Sequence, residues 1–151
     1  MIKNKYIAWF EQISLKDLAY VGGKNASLGE MITNLKTKDV SVPKGFAITT
    51  TVYERFLSQN NIDTELLKLL ELIKPHDLAH LENISLKIQK LIKDGEFHDE
   101  FKKELHTHYQ VLSEGDSNFR VAVRSSASME DLPSASFAGQ QESFFACYKL
   151  R

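Results

Sequence analysis

The chain has 151 residues, 42% hydrophobic and 26% charged, the profile of a soluble globular domain and not of a disordered or fibrous chain. Nineteen basic residues against 20 acidic ones leave a formal charge of -1, which excludes a global attraction to nucleic acid or anionic membrane, so any anion site must be local. The single Cys147 excludes an internal disulfide and a cysteine-pair zinc site.

The N-terminal apolar stretch stops at Phe10, before Glu11-Gln12, which is too short for a signal peptide. No run approaches the ~18 apolar residues of a membrane helix, so a cytoplasmic protein is expected. Tyr6 to Phe10 reads as a first strand. After the pair Gly22-Gly23, Leu28, Met31, Ile32 and Leu35 form one helical stripe, with the helix starting near Lys24 or Asn25. Lys36 to Asp39 reads as a solvated connection. Phe46 to Thr49 reads as a buried strand. Thr50 or Thr51 would cap a helix through Leu57, its inner face Val52, Tyr53, Phe56 and Leu57.

The middle third, about 62–112, is helical. Leu66, Leu67, Leu69, Leu70 and Ile73 form one cluster, ended by Pro75. Leu81, Ile84, Ile88, Leu91 and Ile92 form a second, ended by Gly95, and Phe97, Phe101, Leu105, Tyr109 and Leu112 a third. Two or three antiparallel helices packed on one another are expected. Phe119 to Val123 and Ser143 to Tyr148 are β-rich, and the polar stretch from Ser125 to Glu142 between them reads as a long functional loop. The order predicts an α/β or α+β domain over 1–151, with a small mixed sheet and a helical insert. The last residues follow directly on a strand that needs a neighbour, so a truncated polypeptide is expected.

Three segments carry candidate chemistry. In Val21-Gly22-Gly23-Lys24, two glycines permit a tight turn, and the following helix would offer N–H groups and the Lys24 charge to an anion. The spacing is not that of a Walker A loop, and a Gly-Gly turn beside a solvated lysine is the alternative. In Val121 to Pro133, Arg124 sits where strand gives way to loop, and its guanidinium fork suits phosphate oxygens. Ser125, Ser126 and Ser128 add hydroxyls and backbone N–H groups; the alternative is an arginine paired with Glu130 or Asp131. In Ser134 to Glu142, small residues around Gly139 would make a flap over phosphates, with Phe137 as anchor and Gln140 or Gln141 reaching ribose or phosphate, or a plain surface loop.

Other residues offer less. His106 and His108 fall on a helical pattern roughly 200° apart, unsuited to a shared metal. His76, His80 and His98 have no partners in sequence. The lysines between 87 and 103 alternate with acids and read as a solvated face. Cys147 reads as a small buried hydrophobe.

Taken together, Val21 to Met31, Val42 to Thr50 and Val121 to Glu142 resemble, in order, the start of the phosphoenolpyruvate synthase (pyruvate, water dikinase) family. Pyruvate phosphate dikinases and rifampicin phosphotransferases share these elements; Asn25 to Met31 favours the synthase. The resemblance implies the first lobe of an ATP-grasp domain, in which Lys24 and Arg124 contact ATP phosphates and the Gly139 loop covers them, with Ser128, Gln140 and Gln141 in support. It further implies magnesium, with its carboxylate ligands in a second lobe outside this chain. A swivelling phosphohistidine domain and a pyruvate-binding domain, also outside, would be the partners in making phosphoenolpyruvate, AMP and phosphate. None of the five histidines here has the small-residue context of that phosphocarrier. Ser128, Met129 and Ser134 depart from the family's usual threonine, alanine and aspartate. A non-catalytic remnant or interaction module of the same fold is the alternative.

Overall fold

The computed structural model describes residues 2, 4–35, 42–74, 76–127, 131–132, 135–136 and 143–147. Strand β1 (Ile7–Trp9) pairs antiparallel with β2 (Phe46–Ile48), Ile7 opposite Ile48 and Trp9 opposite Phe46. Alternation along β1 sends its side chains to two separate cores. Ala8 packs with Ile13, Val21, Ala26 and Ala47, whereas Ile7 packs with Tyr6, Val52 and Phe101. Both Ile7 and Ala8 are buried, so this short strand is covered on both faces.

The first core is roofed by α1 (Leu18–Val21) and α2 (Gly23–Leu35), entered through two 3₁₀ turns. The second turn is fixed by Asp17, whose Oδ2 accepts from the backbone N–H and the hydroxyl of Ser14 at 3.0 and 2.9 Å. The buried face of α2 is Ala26, Gly29 and Ile32, while Met31 is exposed. The expected stripe of larger residues is therefore rotated, because α2 approaches the chain at Ile13 closely: a Cβ on Gly29 would lie 2.2 Å from the Ile13 carbonyl oxygen.

The second core is covered by α3 (Thr50–Gln59) and α6 (Asp99–Ser113), with α4 (Ile62–Glu71) and α5 (Leu78–Asp94) between them in the chain. Thr49, not Thr50 or Thr51, holds the N-cap position of α3, because its own N–H donates to the Tyr6 carbonyl and keeps it in the ladder. Val52 and Phe56 of α3 point inward as expected; Tyr53 is half exposed. α4 packs against both α3 and α5. Of the predicted stripes only Leu69, Ile84 and Phe101 are fully buried, and Leu67 and Leu70 face outward. Asp77 caps α5 by accepting from the His80 N–H at 3.0 Å.

The C-terminal third supplies β3 (Val121–Arg124), β4 (Asp131–Leu132), β5 (Ala135–Ser136) and β6 (Ser143–Cys147). β3 pairs with β6 and β4 with β5, both antiparallel. The expected mixed sheet is thus corrected: the described strands form three separate two-stranded antiparallel ladders. The stretch expected to be one long loop contains the β4–β5 hairpin, a pairing of two residues a side too short to leave a periodic signal.

Candidate functional site

The segment Gly22-Gly23-Lys24 and the segment Ser125-Ser126-Ala127 meet. Gly22 ends α1 with φ 78°, a conformation that L side chains rarely adopt, and its N–H donates to the Leu18 carbonyl at 2.9 Å. The chain turns there and starts α2 at once, with Asn25 donating its side-chain amide to the Val21 carbonyl at 2.7 Å. The Gly23 N–H then donates to the Ala127 carbonyl at 3.1 Å. Lys24 Nζ lies 3.5 Å from the carbonyl oxygen of Ser125, the residue that follows Arg124. The Lys24 and Arg124 segments, a hundred residues apart, therefore share one seam.

Arg124 closes β3 opposite Ser143, and its guanidinium carbon stands 5.8 Å from the centre of the Phe145 ring. Both side chains of that pair are exposed, so the fork is open to a ligand. β3 is tied down at its entrance too: Tyr109 of α6 donates its hydroxyl to the Phe119 carbonyl at 3.1 Å. One strand end is thus anchored to α6, and the segment beyond the other to α2.

Two expectations about donors change. The Gly23 amide is taken by Ala127 and is not available to an anion. The Ser126 hydroxyl is buried and has no hydrogen-bond partner among the described residues, so it does not offer itself to a ligand as the sequence suggested. What the sequence missed was the pairing itself, because two of the links run through the backbone carbonyls of Ser125 and Ala127, which every residue carries. Ser128, Gly139, Gln140 and Gln141, with Phe137 and Glu130, lie outside the described residues.

Elsewhere, His106 is exposed on α6 whereas the His108 ring lies tilted against Trp9 and edge-on to Phe46, at ring-centre distances of 5.3 and 5.7 Å. Among the described residues no group of three or more His, Cys, Asp or Glu side chains is placed to hold a metal ion, and no helix is long and apolar enough to cross a membrane. Tyr6 lies under α3 and α6; burial pushes its phenol above the ordinary tyrosine range, and the hydrogen bond to Glu100 adds to the effect.

Residues 18–150 match the family model of the pyruvate phosphate dikinase AMP/ATP-binding domain. The chain is 44% identical over 138 residues to a phosphoenolpyruvate synthase of Escherichia coli, covering 91% of this chain and 17% of that protein. It is 43% identical over 143 residues to the phosphoenolpyruvate synthase of Neisseria meningitidis, covering 93% and 18% respectively. For the phosphoenolpyruvate synthase of Aquifex aeolicus the identity is 41% over 140 residues, with 91% and 16% covered. The chain thus spans about a sixth of the length of these curated relatives.

Proposed function

This chain belongs to the pyruvate phosphate dikinase AMP/ATP-binding domain family, and on that premise we propose that it holds the phosphates of ATP between Lys24 and Arg124, as the first lobe of an ATP-grasp site. The observation that carries the proposal is the seam: the Lys24 ammonium lies at the backbone carbonyl of the residue that follows Arg124, so the two segments belong to one neighbourhood. Phosphoryl transfer depends mainly on positioning and on neutralising spreading negative charge, and a lysine and an arginine fork do both. Ser128, Gln140, Gln141 and a closing loop at Gly139 complete the proposed phosphate site.

The whole enzyme is proposed to be a cytoplasmic phosphoenolpyruvate synthase, by the resemblance of the three motifs and the named relatives. It would convert ATP, pyruvate and water to phosphoenolpyruvate, AMP and phosphate by way of a phosphohistidine, the water taking up the phosphoryl group that leaves as phosphate. The histidine and the pyruvate site would belong to the partner domains, in parts of the relatives that this chain does not match. Magnesium would neutralise charge on the triphosphate, its carboxylate ligands being proposed in the second lobe.

The test is ATP binding by the 151-residue chain, measured by calorimetric titration, for the natural sequence and for Lys24→Met and Arg124→Met. A hydrogen bond to a charged group contributes about 1.5–3 kcal/mol, so each variant should lose roughly ten-fold or more in affinity. Unchanged affinity in both would defeat the assignment. No AMP should form from ATP and pyruvate with this chain alone.

A further inference from the structure

Gly22 and Ser126 touch where the two candidate phosphate-binding segments cross. A Cβ built on Gly22 would lie 2.3 Å from Ser126 Oγ, and 2.8 and 2.9 Å from the Ser126 carbonyl carbon and oxygen. The hydroxyl could swing aside, but the carbonyl is backbone and could not. Any side chain at Gly22 would also meet the penalty of φ 78°. Ser126 is buried at its hydroxyl without a hydrogen-bond partner among the described residues, so what joins it to Gly22 is fit. Flanking that contact, the Gly23 amide reaches Ala127 and the Lys24 ammonium reaches Ser125. Three consecutive residues thus meet three consecutive residues, one close packing contact beside two polar links.

We propose that the Gly22–Ser126 contact sets the spacing between the Lys24 ammonium and the Arg124 guanidinium, so that Gly22 and Ser126 are positioning residues for the triphosphate. The inference rests on the reading that Lys24 and Arg124 hold phosphate. Lys24 is two residues beyond Gly22 on the helix that starts there, and Arg124 is two residues before Ser126 at the end of a paired strand. Both residues lie within two positions of the contact, so pushing the backbones apart there moves the bases of the two cationic side chains apart. Productive contacts tolerate only about 0.5 Å of displacement, and about 1 Å can cost a hundred-fold.

The experiment titrates the full chain with ATP and, separately, with inorganic triphosphate, following thermal unfolding in parallel. The variants are Gly22→Ala, Lys24→Met, the double variant, Ser126→Thr, and Gly95→Ala as a control for packing alone. The control sits elsewhere in the fold, where a Cβ would press on the Phe56 ring at 2.5 Å. Gly22→Ala should weaken both ligands about ten-fold in the natural background and less than two-fold in the Lys24→Met background, because a misplaced cation that is already absent cannot be lost again. Ser126→Thr, which adds one methyl group on the other side of the same contact, should act in the same direction and serves the test if Gly22→Ala does not fold. Gly95→Ala should lower the melting temperature and keep the natural affinity.

Equal losses from Gly22→Ala in both backgrounds would overturn the positioning role, as would natural affinity in both Gly22→Ala and Ser126→Thr. A loss in Gly95→Ala matching that in Gly22→Ala would reduce the contact to general packing and overturn it too. If Lys24→Met binds both ligands as the natural chain does, the phosphate reading itself fails, and that outcome is separate from the others.

Discussion

The hydroxyl of Tyr6, the residue before β1, donates a 2.9 Å hydrogen bond to Oε2 of Glu100 on α6, 94 positions away in the chain. Arg55 of α3 donates to the same hydroxyl oxygen and lies over the Tyr6 ring at 5.0 Å from its centre. Three elements of the second core therefore converge on one phenol. Burial first, and Glu100 second, raise its pKa above the usual value of about 10. The folded state favours the protonated phenol, so this contribution to stability is complete below pH 10, by order of magnitude, and is lost as pH rises through the raised folded value. Tyr6→Phe should lower the melting temperature at pH 7, where the hydrogen bonds are lost. It should also flatten the alkaline fall of the melting temperature, followed from about pH 9 to 11. An alkaline limb identical to that of the natural chain would contradict this account.

Tyr109→Phe tests how β3 is held. Its hydroxyl donates to the Phe119 carbonyl, and the two rings meet edge to face at 6.5 Å. Removing the oxygen leaves the ring contact and takes away one part-buried hydrogen bond, a loss of about 1 kcal/mol. Because the bond sits at the entrance to β3, amide exchange at Val121 to Arg124 should accelerate more than exchange in α2. Uniform acceleration across the chain would show that the bond serves global stability only.

These two anchors mark what the sequence could and could not show. Helix periodicity placed α2, α5 and α6 well, because 3.6-residue stripes and the breaks at Gly22-Gly23 and Gly95 survive in composition. It did not show which face of α2 is buried, since Ala26 and Gly29 pack by being small and contribute little to a hydrophobic stripe. Short ladders of two to four residues, such as β4–β5, carry too few alternations to separate parallel from antiparallel pairing. At the proposed site, residue chemistry singled out Lys24 and Arg124, but the junction of their two segments runs through Gly22, the Gly23 amide and the carbonyls of Ser125 and Ala127. Backbone groups have no letter in a sequence.

Phe101→Ala should be the most damaging of the single changes in the second core. Phe101 is only 3% exposed, and its ring meets those of Tyr6, Phe97 and His98 at 6.3, 5.3 and 6.0 Å. Truncating a buried phenylalanine costs about 3–5 kcal/mol in transfer and cavity terms together. That is a large part of the roughly 5–15 kcal/mol that holds a typical domain folded. Leu78→Ala, at a residue 80% exposed, should change stability by less than about 0.5 kcal/mol. Denaturant titration of the two variants side by side checks both numbers, and comparable losses would misplace the core.

The Arg124–Phe145 pair separates charge from shape at the proposed phosphate site. The guanidinium is 5.8 Å from the ring centre, on paired strands whose register sets Arg124 opposite Ser143. Arg124→Lys keeps the charge but loses the planar fork, and is expected to weaken ATP binding about ten-fold. Phe145→Ala keeps the fork and removes its support. An exposed cation–π contact contributes about 0.5–1 kcal/mol, so that variant should lose roughly two- to five-fold in affinity. Once the arginine has become lysine, removing the ring should matter less, since no planar fork is left for it to orient. Titration of ATP against the two single variants and their combination gives this coupling directly. Strict additivity would mean that Phe145 affects binding by some route other than orienting Arg124.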